Sequence, residues 1–140
     1  MVESPMSPAD ALVAVMIATS AADEQLSDKE LRTIEQLVSV LPAFKGYDTE
    51  RIPVVFQVVF DIFDDIDGID ALIGLVKQSL PAKLNETAYA LACDIAAADG
   101  KLEASELRLL QMLRQDLEVD RLTAAAIERG ASARHRRIPE

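Results

Sequence analysis

The chain has one cysteine, Cys93, and one histidine, His135. A lone cysteine excludes an internal disulfide, and with a lone histidine there is no Cys/His cluster to hold zinc. There is no dithiol pair for redox chemistry, and no glycine-rich strand-to-helix turn of the kind that cradles a nucleotide cofactor. Basic residues are scarce: 14 Lys and Arg stand against 24 Asp and Glu, for a formal charge of −10. That deficit argues against nucleic acid as a partner, because such binding needs a basic footprint to neutralise phosphates. A cation suits the field better. Long apolar runs are missing as well. The stretches Ala11 to Ala22, Ile52 to Phe63 and Ala88 to Ala98 fall short of the roughly 20 residues that span a bilayer, so no transmembrane segment is expected. Met1 begins no basic leader region, and the expected location is cytoplasmic or peripheral at the inner membrane.

What is present is apolar content, 50% of 140 residues, enough for one soluble domain with a real core. At this mass a folded chain exposes about 7,000 Å² and hides about 15,000 Å² relative to its unfolded form. The apolar residues follow the helix period, and Gly, Pro, Ser and Asp punctuate them to give about seven helices and no strand hairpin. The expected fold class is therefore all-α. Ser7 is an N-cap candidate with Pro8 at the first helical position, opening a helix to about Ala21 that is apolar nearly all round and hence buried. Ser27 and Glu30 have capping-box spacing at the head of an amphipathic second helix that ends before Pro42. Its Leu31, Ile34, Leu37, Val38 and Leu41 point inward. Ala43 to Asp48 reads as a loop. A third helix runs from a cap at Asp48 or Thr49 toward Phe63, with one polar stripe despite several strand-prone valines. Further helices cover about Ile69 to Leu80, Asn85 to Ala98, Ala104 to Asp116, and Val119 to about Gly130. The core thus spans about residues 8–130, and 131–140 is expected to be a flexible basic tail.

Two segments repeat. Ala21 to Ile34 reads AADEQLSDKELRTI and Ala97 to Leu110 reads AADGKLEASELRLL, at an offset of 76 residues with seven identities in fourteen. Chance would supply roughly one. In each copy an apolar helix rich in small residues, which allow close helix approach, runs into Ala-Ala-Asp, and an amphipathic helix leaves through Glu-Leu-Arg. Asp23 and Asp99 sit where the helix macrodipole is already negative, a placement that costs a few tenths to about 1 kcal/mol. A local rule broken twice in the same way points to function. Glu30 and Glu106 fall in the first turn of the following helices, so four carboxylates could converge across a pseudo-twofold axis. Hard oxygen donors of this kind favour Ca²⁺ or Mg²⁺. A second reading stays open: Glu30 as the capping-box partner of Ser27, with Asp23 and Asp99 bonded to their own turn amides. The copies also differ, with Glu24 opposite Gly100 and Ser27 opposite Glu103.

At these motifs, SAADEQLSDKEL and DIAAADGKLEASEL, the sequence resembles the tellurite-resistance TerB family, over about Pro8 to Leu117. The resemblance implies an all-helical, internally duplicated domain tied to tellurite resistance and chemical-stress response. It also implies a metal site at Asp23, Glu30, Asp99 and Glu106, and protein partners of the same resistance system, among them membrane-embedded and calcium-binding proteins. Glu24 departs from the glycine usual at that place. A chain this acidic should repel the tellurite oxyanion, so direct capture is not expected. The expected activity is non-enzymatic binding in a resistance complex. The alternatives are a structural interaction domain whose acids only cap helices, and a carboxylate-based hydrolase, for which the sequence offers neither a pocket nor a nucleophile with its base.

Other features carry less. The run Asp61 to Asp70 fails the EF-hand pattern, because with Gly68 at the sixth position Phe63 would be first and Gly74 twelfth. It reads as a solvated acidic helix end, or as a patch for a cation or a basic partner. Asp94, inside an apolar helix, reads as a hydrogen-bonded core or groove residue, and Cys93 as a buried inert thiol. The tail Arg134-His135-Arg136-Arg137 reverses the sign of the body, as a solubilising end or a contact for an anionic membrane surface.

Overall fold

The computed structural model describes residues 6–21, 28–98 and 104–139. These form seven α-helices, two short 3-10 turns and no strand. The helices are α1 (Pro8–Ala21), α2 (Asp28–Val40), α3 (Arg51–Phe63), α4 (Gly68–Ser79), α5 (Asn85–Ala98), α6 (Ala104–Asp116) and α7 (Arg121–Arg134). The 3-10 turns, Pro42–Phe44 and Ala82–Leu84, each sit beside a proline, whose fixed φ suits a tight turn. The first turn lies in the expected loop but also supplies Phe44, 3% exposed, to the core.

Local signals account for the starts and stops. The Asp10 backbone N–H donates to Ser7 Oγ at 3.0 Å, the cap expected ahead of Pro8. Asp120 caps α7 by accepting from the Thr123 N–H at 3.2 Å. α4 begins where α3 ends because Gly68 allows it. A Cβ there would lie 2.5 Å from the Ile62 carbonyl oxygen and 2.9 Å from Phe63 Cα.

The centre of the molecule is α1, buried at every residue from Asp10 to Ala21. α1 crosses α5, whose Ala88, Ala92 and Ile95 are wholly buried, and also touches α2, α3, α4 and α6. Buried alanines on both helices, Ala11, Ala14 and Ala18 on α1 and Ala88 and Ala92 on α5, suit a close approach of the two backbones. The two halves keep corresponding partners. α2 packs on α1 and on α5, α6 packs on α5 and on α1, α1 pairs with α3, and α5 pairs with α7.

The largest difference from expectation is at the C-terminus. α7 continues to Arg134, where the sequence reading ended the helix at about Gly130 and began a tail at 131. Ala131 is 2% exposed, and Arg134 is held by an ion pair to Asp94 on α5. That anchor lies forty residues away in the chain, beyond the reach of any local stop signal.

Candidate functional site

Asp23 and Asp99 lie outside the described residues, as do Glu24, Ser27, Gly100 and Glu103. The structure therefore bears on the proposed acids through Glu30 and Glu106. Both stand in the first turn of their helices, α2 and α6, where the dipole favours a negative charge. Glu30 is 7% and Glu106 1% exposed, a degree of burial that glutamate reaches only with a compensating partner. The packing places each at the head of a helix that touches both apolar helices, and those helices end at Ala21 and Ala98, ahead of Asp23 and Asp99 in the chain. A third buried polar group stands near the end of α1. Ser20 is 1% exposed, and its Oγ has no hydrogen-bond partner among the described residues. It precedes Asp23 by three residues, and its counterpart at the repeat offset is Ala96. A hydroxyl shut away from water without a bond costs about 1–3 kcal/mol. Carboxylate and hydroxyl oxygens such as these are donors of the kind a hard cation takes. Among the described residues no three His, Cys, Asp or Glu are gathered for a metal, so a complete shell would need Asp23 and Asp99.

Two other acid networks tie helices together. Asp10, 4% exposed at its side chain, pairs with Arg51 Nη2 at 2.9 Å, and Tyr47 Oη donates to its other oxygen at 2.7 Å. Burial pushes the Asp10 carboxyl up, but hydrogen bonds from Arg51 and Tyr47 and the Arg51 charge outweigh it and hold the group below the ordinary range. Burial and the adjacent Asp10 carboxylate raise the Tyr47 phenol. The sequence reading missed this network. Its one signal was an acid within a helix otherwise apolar all round, and its partners lie 37 and 41 residues downstream.

On the other half, Asp94 Oδ1 accepts from Arg134 Nη2 and lies 3.4 Å from His135 Nε2. Tyr89 Oη donates to Glu128 at 2.6 Å. Because Tyr89 meets Glu128 and Asp94 meets Arg134, α5 and α7 run in the same direction in register. Asp94 is thus a packing clamp. Cys93 is 5% exposed, and burial, with the Glu128 and Asp94 charges, pushes its thiol up to about 12. A thiol held protonated in this way is a poor nucleophile.

No described helix is long and apolar enough to cross a membrane. A family model described as Tellurite resistance protein TerB matches residues 9–129. No curated protein and no solved structure matches the chain.

Proposed function

The chain belongs to the TerB tellurite-resistance family, and on that premise we propose that it is a non-enzymatic binding module whose paired acidic turns hold a divalent cation. Asp23, Glu30, Asp99 and Glu106 are the ligands, and Ca²⁺ or Mg²⁺ is the ion that their hard oxygens favour. The observation that carries the reading is the matched burial of Glu30 and Glu106 at the heads of two helices that each lie on both α1 and α5. Ser20 Oγ, which has no hydrogen-bond partner among the described residues, adds a buried oxygen that a cation could take. The repeated Asp-to-Glu spacing of seven residues gives both halves the same donor pair. A shared ion would fasten α1–α2 to α5–α6, so that docking on partners of a chemical-stress complex, in the cytoplasm or at the inner face of the membrane, becomes cation-responsive. Direct capture of tellurite is no part of this reading, since a chain of charge −10 repels an oxyanion.

The test is calorimetric titration of the metal-stripped protein with Ca²⁺ and with Mg²⁺, paired with thermal melts. Binding to the folded state alone raises stability by RT ln(1 + [L]/Kd), about 2.7 kcal/mol at a hundredfold excess over Kd. Glu30→Gln and Glu106→Gln should each shrink the heat and the thermal shift. Absence of heat and of any shift at millimolar cation would leave the acids as helix-cap residues of an interaction domain.

A further inference from the structure

Helix α3 is apolar at nine of its thirteen positions, with Pro53 besides, yet only Ile52, Val55 and Val59 are buried. α1, similarly rich in apolar residues, is buried at every residue from Asp10 to Ala21. α3 carries one polar stripe, with Arg51, Gln57 and Asp61, yet Val54 and Val58 still leave apolar surface outside the face it turns to the core. The surplus is ordered. Val54, Val58 and Ile62 recur every fourth residue and form one ridge. Val54 is 46% and Val58 36% exposed, and Ile62 is half-buried. Beyond the helix end comes Ile66, fully exposed in the turn to α4. That turn is stiff. The Asp65 N–H donates to the Ile62 carbonyl and the Gly68 N–H to the Asp65 carbonyl, and Gly68 brings the α4 backbone hard against Ile62 and Phe63.

The C-terminal end of this ridge and the turn beyond it carry a single sign. Asp61, Asp64, Asp65, Asp67 and Asp70 are all exposed, and among the described residues none of them is in an ion pair. Asp67 stands at the N-cap of α4 but makes no side-chain cap bond, and Asp61 accepts from Gln57, on its own helix. The acids are therefore not consumed in holding the turn. No Lys or Arg occurs between Arg51 and Lys77, and Arg51 is already engaged by Asp10.

We infer that the face formed by Val54, Val58, Ile62 and Ile66 docks an amphipathic helix of a partner protein whose apolar stripe is flanked by Lys and Arg. An apolar ridge supplies contact area, and an unneutralised acidic end selects a basic partner and speeds its approach. Two copies of this chain meeting ridge to ridge would set five acids against five. An anionic bilayer or a nucleic acid would be repelled in the same way. The inference rests on the binding-module reading and names the chemistry of the partner.

The probe is a fluorescently labelled synthetic Leu/Lys peptide with one apolar helical face, titrated into the full chain at physiological salt and followed by anisotropy and by amide NMR shifts. Amide shifts should concentrate in residues 51–70. The double variant Val54→Ser/Val58→Ser should bind roughly tenfold more weakly or worse and melt like the native chain, since both side chains are exposed. Asp64→Asn/Asp65→Asn/Asp67→Asn should also weaken binding and flatten its salt dependence. Equal affinity for the serine variant, or amide shifts centred elsewhere, would overturn the proposal. So would a self-associated native chain that the serine variant dissociates, because the face would then belong to a second copy, with the exposed Arg136, Arg137 and Ile138 as its basic contact. The two readings fail separately. The serine variant keeps the native cation response whatever its peptide affinity, and loss of that response leaves the peptide result unchanged.

Discussion

Asp10 sits in the first turn of a helix whose every following residue is buried, where an unpaired carboxylate would be costly. Arg51 and Tyr47 offset that cost by binding its two oxygens, so the charged form is better accommodated in the folded chain than in the unfolded one. The folded-state pKa lies below the ordinary 3.8, so the contribution is complete above about pH 4 and is lost as pH falls through the depressed value. Asp10→Asn is therefore expected to be less stable than the native chain at pH 7. The gap should close as pH falls below about 4, as urea melts across a pH series would show. Only half of this was readable in advance. Ser7 and Pro8 announce the helix start because capping acts within three residues, whereas no local pattern ties residue 10 to residues 47 and 51. Cys93 was legible as inert, since an apolar helix with no nearby base in sequence already implied burial.

Among the elements, α1 and α3 have almost the same apolar content and opposite fates. Periodicity identified both as helices, and Ser7 with Pro8 for α1 and Asp48 or Thr49 for α3 placed their starts within about two residues of those observed. It could not say that α1 would lie at the centre with neighbours on all sides while α3 would cover it from outside and leave Val54 and Val58 in water. Burial depends on how many other elements converge on a helix, and that is a property of the assembly. The end of α7 teaches the same lesson. Gly130 reads as a stop because glycine commonly ends helices, but Ala131 is buried and Arg134 reaches Asp94, so a further turn of helix forms. A chain ending at Gly130 removes both Arg134 and His135 from a largely buried carboxylate. It should lose about 1–3 kcal/mol, read as a lower thermal midpoint by circular dichroism, with Asp94→Asn recovering part of the loss.

For the whole molecule, the consequence of the proposed cation site is a coupling between the halves. If Glu30 and Glu106 serve one ion, removing either disables most of the site and removing both adds little. Thermal shifts by Ca²⁺ in Glu30→Gln, Glu106→Gln and the double variant should then be strongly non-additive. Two independent helix caps would give losses that sum. The separation of 76 residues between the copies makes this a test of tertiary arrangement, since no local effect couples residues so far apart.

The sequence by itself determined the helices, most of their ends, the acidic excess, the family and the repeated Asp-to-Glu spacing. Each of these is written in neighbouring residues: a helix period spans a few positions, a cap three, a motif about a dozen. The tertiary structure decided what depends on distant pairs. It buried Glu30 and Glu106 on helices shared between the halves, clamped Asp10 and Asp94 to arginines about forty residues away, and left the Val54–Val58 ridge outside the core. The physical reason is that burial and charge pairing are set by what surrounds a side chain in space, and a chain brings remote residues together only once its helices have packed.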